Sequence, residues 1–328
     1  MFIENKYIRI NLDSYRKVSN ISLSNNISTS LDIQYHYYVS DDPGKLEKDA
    51  TPPGAYLFRP MDPKSVPIID FLDTKIYKTD VVQEIHTMYS EYASLVLKLY
   101  TDSPFIEVDW TIGPVPLDDD LGKEVFVRYS TDLDNSGVFY TDANGRQTVK
   151  RIRDRRATYE PYNFNKISGN FYPVTSRIYI EDTKRNIRFA IFNDRSQGGS
   201  SLLDGSIDLM IQRRILTDDA GVGAVLNETI NGLGVIISGK HYLYLSRADY
   251  KQNKVFEKKL AKEIELKPIS LISNTGIKLD EWLKIKTEFA GLNKLPVGVH
   301  LLTLQNWNDG TLLIRLENYL EKCDIVKR

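Results

Sequence analysis

The chain has 328 residues, a formal net charge of −1, 27% charged side chains and 41% hydrophobic ones. This composition is that of a folded globular protein, and the length suits one large domain or two smaller ones. Because the charge is balanced, the sequence does not indicate nucleic acid or an anionic membrane as a partner.

The N-terminus has no basic stretch followed by an apolar one, so we expect no signal peptide on this chain. No apolar run approaches the roughly 20 residues needed to cross a bilayer. Cys323 is the only cysteine, which excludes an internal disulfide and a thiolate metal cluster.

Alternating apolar and polar residues predict a succession of short strands. Ile106, Val108 and Trp110 fall on one face of a strand, and Glu107 and Asp109 fall on the other. This period of two is typical of half-buried strands. It recurs in the segments 187–191, 241–245, 299–304 and 311–316.

A tight turn is predicted at Asn144-Gly145, because this dipeptide favours the positive φ angles of a tight hairpin. The convincing helical pattern lies at 254–266, where Phe256, Leu260 and Ile264 recur at helical spacing.

Many short strands with one modest helix predict an all-β protein built as an antiparallel β-sandwich. We expect a large sandwich at 1–250. The segment 251–328 would hold a linker, the helix and the start of a second, smaller β-sandwich.

The densest basic run extends from Lys150 to Arg156. Since acidic residues are interspersed along the rest of the chain, we interpret this run as the solvated face of a β-ribbon rather than a phosphate track.

The histidines show no metal-binding pattern. His36, His86, His241 and His300 are scattered, and no His-x-His or His-Glu-x-x-His sequence is present. We interpret them as satisfied or half-exposed strand residues and expect no metal site. Cys323 has no evident activating histidine.

Adjacent carboxylates do not make a catalytic pair. Asp41-Asp42, Asp118 to Asp120 and Asp218-Asp219 are neighbours in sequence, and neighbours on a strand point to opposite faces. A retaining glycosidase needs two carboxyl groups about 5–5.5 Å apart across a sugar. We therefore expect no catalytic residue on this chain.

Two loop segments carry more unusual chemistry. In 52–60, a loop bounded by prolines would present Tyr56 and Arg59 for sugar stacking and hydroxyl contacts. The alternative is a sheet-edge loop whose tyrosine only packs. In 194–202, Gly198 and Gly199 permit a tight excursion of the backbone beside the hydroxyl of Ser200. The alternative there is an ordinary surface connection.

These two loops belong to a set of nine stretches that follow one another along nearly the whole chain. The stretches are Gly54–Pro60, Gly113–Pro116, Gly122–Glu124, Phe139–Arg146, Asn170–Val174, Asp194–Leu202, Gln212–Asp219, His300–Leu304 and Leu313–Leu316. Any one of them would be weak, but in this order they resemble the class II α-mannosidases of lysosomal type, glycoside hydrolase family 38.

The resemblance implies the all-β C-terminal region of an exo-acting retaining α-mannosidase, with a galactose-mutarotase-like super-sandwich. In that family a zinc ion, an aspartate nucleophile and an acid carboxylate belong to an N-terminal catalytic domain. We expect that domain, the signal peptide and the last strands to be missing here, so that zinc is held elsewhere and this chain binds no cofactor. The implied compartment is the lysosome or vacuole, or the exterior.

The resemblance also implies roles for particular residues. Tyr56 would lie at the rim of the mannose site, and Arg213, or Arg214 if the register slips, would reach toward the sugar. Ser200 and Asp204 would shape the loop around that arginine. For each residue, packing is the alternative.

The first functional hypothesis is that the chain completes an α-mannosidase active site and is inactive alone. Its partners would be the N-terminal catalytic domain, on the same polypeptide or a separate chain, and mannose-containing glycans such as glycoprotein N-glycans. The second is a stand-alone carbohydrate-binding or structural sandwich. The third is an incomplete gene product that is unstable in isolation.

Overall fold

The computed structural model describes residues 1–40, 51–70, 72–156, 158–160, 165–219, 221, 223–270, 272, 276–284, 295–322 and 324. The chain forms two compact units, Met1–Tyr250 and Lys251–Arg328. The Asp41-Asp42 pair and Cys323 lie outside the described residues. Within the described part, no helix is long and apolar enough to cross a membrane.

In its described residues, the first unit consists of strands joined by loops and a short 3-10 turn at Ser168–Asn170. In chain order its strands are β1 (Phe2–Glu4), β2 (Ile8–Leu12), β3 (Val18–Leu23), β4 (Ser28–Ser30), β5 (Asp32–Val39), β6 (Val66–Ile68), β7 (Asp73–Lys78), β8 (Val82–Ser90), β9 (Ala93–Tyr100), β10 (Ile106–Ile112), β11 (Lys123–Ser130), β12 (Val138–Ala143), β13 (Gln147–Ile152), β14 (Tyr172–Val174), β15 (Arg177–Asp182), β16 (Ile187–Asn193), β17 (Gln197–Ser200), β18 (Ser206–Arg214), β19 (Thr229–Ile230), β20 (Leu233–Gly234) and β21 (Ile237–Arg247).

The strands of the first unit form a nine-stranded sheet, β13-β12-β15-β16-β21-β10-β9-β8-β7, and a six-stranded sheet, β14-β17-β18-β11-β5-β6. A four-stranded sheet, β1 to β4, and a β19-β20 pair complete it. Neighbouring strands pair antiparallel. The antiparallel β-sandwich predicted from the sequence is confirmed.

The second unit contains α1 (Lys251–Glu265), α2 (Leu279–Trp282), β22 (Val299–Asn306), a 3-10 turn (Asn308–Gly310) and β23 (Leu312–Asn318). The predicted helix is confirmed as α1. The strands predicted at 299–304 and 311–316 are confirmed as β22 and β23, which pair antiparallel.

Buried tyrosines join the two large sheets. The hydroxyl of Tyr35, on β5, donates to the carbonyl oxygen of Ser94, on β9, at 2.6 Å. In the opposite direction, Tyr89 on β8 donates to the carbonyl oxygen of Ile33 on β5, also at 2.6 Å. The rings of Tyr35 and Tyr89 meet edge to face, with centroids 5.4 Å apart. Because a buried hydroxyl is costly unless it is bonded, these contacts fix how the sheets face each other.

His241 is a core residue, as expected of a strand histidine. Its ring is fully buried and lies 2.7 Å from the hydroxyl of Tyr129 and 2.9 Å from the side-chain oxygen of Gln197. Burial lowers the pKa of His241 to about 3, so the ring stays neutral over most of the pH range.

Candidate functional site

The loop carrying Tyr56 is held from one side by an arginine. Arg213, near the end of β18, donates from Nη2 to the carbonyl oxygens of Gly54 at 2.8 Å and Leu57 at 3.1 Å. Its Nη1 donates to the carbonyl oxygen of Ala55 at 3.0 Å. Gly54 and Leu57 also exchange backbone hydrogen bonds of 3.1 and 3.3 Å. The turn is thus closed on itself and tied to the six-stranded sheet.

Glu124 fixes the direction of that arginine. The two residues are partners across the β11–β18 ladder, and the carboxylate receives Nε at 2.5 Å and Nη2 at 2.9 Å. Glu124 is 0% exposed; burial raises its pKa, while the hydrogen bonds and charge of Arg213 oppose the rise. Since a guanidinium has five N–H groups, these contacts leave at most one, on Nη1, for a ligand.

Asp219 holds the loop from its other side. Its Oδ2 accepts the backbone N–H of Tyr56 at 2.8 Å, and the residue is 8% exposed. A Cβ at Gly54 would overlap the backbone nitrogen and side chain of Asp219, so this close approach requires glycine. With its backbone fixed in this way, Tyr56 leaves 78% of its surface exposed to solvent.

An aromatic cleft of about 620 Å³ lies beside Tyr56. Its walls include Phe58, Phe171 and Tyr172, and Gln197 and Ser196 supply polar groups. The rings of Phe58 and Phe171 meet edge to face at 5.4 Å. Flat apolar surface with a few hydrogen-bonding groups is what a sugar ring requires.

Ser200 and Asp204 make their bonds to other segments. The hydroxyl of Ser200 is fully buried and donates to the carbonyl oxygen of Asn170 at 2.8 Å. Oδ1 of Asp204 accepts the backbone N–H of Gly137 and Nη2 of Arg153, both at 2.8 Å. These contacts order the neighbouring loops without meeting the loop of Tyr56.

Arg214 and Arg59 also bond to carbonyl groups. Nη1 of Arg214 donates to the carbonyl oxygen of Val115, and a Cβ at Gly234 would overlap its guanidinium. Nη1 of Arg59 donates to the carbonyl oxygen of Thr51. Of the five residues predicted for the site, the structure therefore brings together Tyr56 and Arg213, and places Ser200, Asp204 and Arg214 in other contacts.

Comparison with known proteins identifies the family of this chain. The model of the glycosyl hydrolases family 38 C-terminal domain matches residues 3–221. The chain belongs to family 38. The resemblance stated from the sequence motifs is thereby confirmed.

Curated relatives of this family 38 chain are much longer than it is. Lysosomal alpha-mannosidase of Felis catus is 38% identical over 322 residues, which are 96% of this chain and 31% of the relative. An alpha-mannosidase of Arabidopsis thaliana is 32% identical over 97% of this chain and 31% of its own length. The chain thus spans about a third of the curated relatives it matches.

The fold is also that of a solved structure. The crystal structure of an alpha-mannosidase from Enterococcus faecalis superposes with a TM-score of 0.61 at 13% identity, covering 96% of this chain and 36% of that one. At that identity the likeness shows a shared fold.

Two residues of the candidate site carry no signature that could be recognised in the sequence. Glu124 and Asp219 both lie inside the stretches that resemble the family, but their roles depend on a ladder partner and on a backbone N–H far away in the chain. Among the described residues, no group of three or more His, Cys, Asp or Glu side chains could hold a metal ion.

Proposed function

We propose that this chain is the C-terminal β region of an exo-acting retaining α-mannosidase and completes the sugar site of an N-terminal catalytic domain. The observation that carries the proposal is the loop of Tyr56, whose backbone is held on both sides while its phenol ring is exposed. The names of the relatives support the activity. The proposed substrate is terminal α-D-mannose on glycoprotein N-glycans, and the proposed compartment is the lysosome or vacuole, or the exterior.

The role of this region is to position the sugar. The exposed ring of Tyr56 offers one face to the mannose and one hydroxyl to its oxygens. Arg213 acts mainly through the loop, because four of its five N–H groups are occupied by Glu124 and by three loop carbonyls. Holding the mannose in one orientation removes part of the entropy cost of the reaction.

The bond-breaking groups are assigned to the catalytic domain. The described residues offer no cluster that fits a zinc ion, so we place zinc, with the nucleophile and acid carboxylates, on that domain. When bound there, zinc would act as a Lewis acid and orient the substrate.

The test is hydrolysis of a chromogenic α-mannoside by the purified 328-residue chain with added zinc. The chain is assayed alone and then mixed with a family 38 N-terminal catalytic domain. We expect turnover in the mixture and none from the chain alone. Turnover by the chain alone would show that it carries its own catalytic groups and would overturn the proposal.

Tyr56→Ala is the sharper variant, because Tyr56 is exposed and its truncation should leave folding intact. We expect turnover by the mixture to fall about tenfold or more, equivalent to roughly 1.4 kcal/mol of transition-state stabilisation. Tyr15→Ala is the matched control, since Tyr15 is 82% exposed on a turn before β3. Equal turnover in both variants would remove Tyr56 from the site.

A stand-alone carbohydrate-binding module is the second candidate, favoured by the aromatic walls of the cleft beside Tyr56. Calorimetric titration with mannose separates the two. Millimolar or tighter binding by the chain alone, lost in Tyr56→Ala and without turnover in any mixture, would favour the binding module.

A further inference from the structure

Several residues of the basic run at 150–156 line a second cavity. It lies at β13, the edge strand of the nine-stranded sheet, and has a volume of about 520 Å³. Four cationic side chains face one carboxylate and one aromatic ring in its lining: Lys150, Arg151, Arg155, Arg156, Glu160 and Tyr172. A cavity of this size accommodates a small ligand, and its charge selects an anion.

Two of the arginines converge on one ring. Cζ of Arg151 lies 4.2 Å, and Cζ of Arg156 5.0 Å, from the centroid of Tyr172. Arg156 also donates to the Tyr172 hydroxyl and to the carbonyl oxygens of Arg155 and Gly169. Nε of Arg151 donates to the hydroxyl of Thr141 at 3.1 Å. Burial lowers the pKa of Arg151, and the neighbouring charge of Arg156 lowers it as well. Two like charges are thus held together on an aromatic wall.

Three of the four cations of this cavity lack a carboxylate partner among the described residues. Within the described part of the chain, Lys150, Arg151 and Arg155 form no ion pair. Arg128, by contrast, makes a two-point pair with Asp208 at 2.7 and 2.8 Å. A bound anion would supply the missing negative charge, and a guanidinium matches two oxygens of a phosphate or sulfate group at once.

Protection of a sheet edge explains only part of this arrangement. Lysine on an edge strand discourages pairing with another chain, which accounts for the exposed Lys150. It does not account for Arg151 and Arg156, which fold back over Tyr172 and are only partly exposed. The charges are therefore arranged around a concave space instead of being spread along the edge.

We propose that this cavity binds a tetrahedral oxyanion, a phosphate or sulfate monoester. Arg151 at the Tyr172 wall provides the forked donor, because its hydrogen bond to Thr141 uses only Nε, and Lys150 and Arg155 close the site from the solvent side. Tyr172 also lines the cleft beside Tyr56, so an ester carried by a sugar would bring its ring to that aromatic wall. The proposal does not depend on the α-mannosidase assignment.

The test is calorimetric titration of the 328-residue chain with inorganic phosphate, sodium sulfate, mannose 6-phosphate and unphosphorylated mannose. Ionic strength is kept constant with sodium chloride, because screening weakens exposed charges. We expect the oxyanions to bind at a single saturable site that chloride does not occupy. Tighter binding of mannose 6-phosphate than of inorganic phosphate assigns the site to sugar esters, and equal binding assigns it to the free ion.

The decisive variant is Lys150→Gln with Arg155→Gln, because both side chains are exposed and their replacement should not disturb folding. We expect phosphate affinity to fall about tenfold or more, since a charge-assisted hydrogen bond contributes about 1.5–3 kcal/mol. The matched control is Lys64→Gln with Lys166→Gln, which removes the same charge from exposed lysines outside this cavity. We expect its affinity to stay within about twofold of wild type.

Two results would overturn the proposal. The first is absence of saturable phosphate and sulfate binding to the wild-type chain with a native circular dichroism spectrum. The second is an equal loss of affinity in the two double variants, which would show that the anions respond to net charge alone. Either result would restore the interpretation of a solvated ribbon face.

Discussion

Replacing Arg213 with glutamine removes the cation that sits between the buried Glu124 and the loop of Tyr56. The carboxylate of Glu124 is 0% exposed and would be left without the two hydrogen bonds it now receives from Arg213. Breaking a buried ion pair by removing one partner costs about 3–5 kcal/mol. The carbonyls of Gly54, Ala55 and Leu57 would also lose their donor, which should loosen the loop.

The direction in which the loss of stability changes with pH shows whether the charge of Glu124 causes that loss. Arg213 opposes the rise that burial imposes on the pKa of Glu124, so the Arg213→Gln variant should raise that pKa further. In the unfolded chain the carboxyl titrates at its ordinary value of about 4.3. The added loss of stability should therefore be smallest below that pH and grow as the pH rises through the folded-state pKa.

Urea unfolding followed by circular dichroism at pH 5 and pH 8 measures both effects. We expect Arg213→Gln to lower the free energy of unfolding by about 3–5 kcal/mol at pH 8 and by less at pH 5. The matched control is Arg247→Gln, whose pair with Asp249 is exposed, at 57% and 60%, and should cost under about 1 kcal/mol. Adding Glu124→Gln to Arg213→Gln should restore much of the loss. A loss equal at both pH values, or one that the second substitution leaves unchanged, would refute the role assigned to the Glu124 charge.

Three further predictions concern residues of the first unit, Met1–Tyr250. Gly54→Ala should lower the free energy of unfolding by about 1–3 kcal/mol in the same urea assay, because the new methyl group overlaps Asp219; an unchanged midpoint would show that the loop can shift at no cost. Asp142→Ala should lower it by about 3 kcal/mol, since Oδ1 of Asp142 accepts the backbone N–H groups of residues 175, 176 and 177 at 2.9, 2.9 and 3.1 Å. Asp142→Asn keeps an acceptor and should cost less, and equal losses would count against this reasoning. Burial lowers the pKa of His241 to about 3, so below about pH 6.5 this residue should take up a proton when the chain unfolds. The free energy of unfolding should therefore fall by about 2 kcal/mol from pH 7 to pH 5. His241→Gln should flatten that part of the profile, and an unaltered slope would contradict the assignment.

Local chemistry was sufficient to predict individual elements. The Asn144-Gly145 turn appears with φ angles of 54° and 71°, and β12 and β13 pair on either side of it. In β10, the residues predicted to share the inner face, Ile106, Val108 and Trp110, are almost completely buried. Each of these predictions depends on residues within about ten positions of one another.

Sheet order could not be predicted in the same way. β10 lies between β9, its neighbour in sequence, and β21, whose residues follow more than a hundred positions later. β11 lies between β5 and β18, both of which are also remote from it along the chain. A period of two shows which residues face the core, but it does not select the partner strand.

In the candidate site, the contacts of single side chains likewise depend on strand pairing that the sequence alone does not predict. The resemblance to family 38 indicated Tyr56 and Arg213 as site residues. The structure brings them together because Arg213 donates to backbone carbonyls of the loop that carries Tyr56, rather than because both side chains line one ligand pocket. The direction of the guanidinium follows from Glu124, which faces it only because β11 and β18 pair in that register. A one-residue slip of that ladder would turn Glu124 to the other face of the sheet and free the loop. The exposure of Tyr56 is therefore set by strand register at least as much as by the sequence of its own loop, and variants of the ladder should affect sugar contacts without touching the sugar.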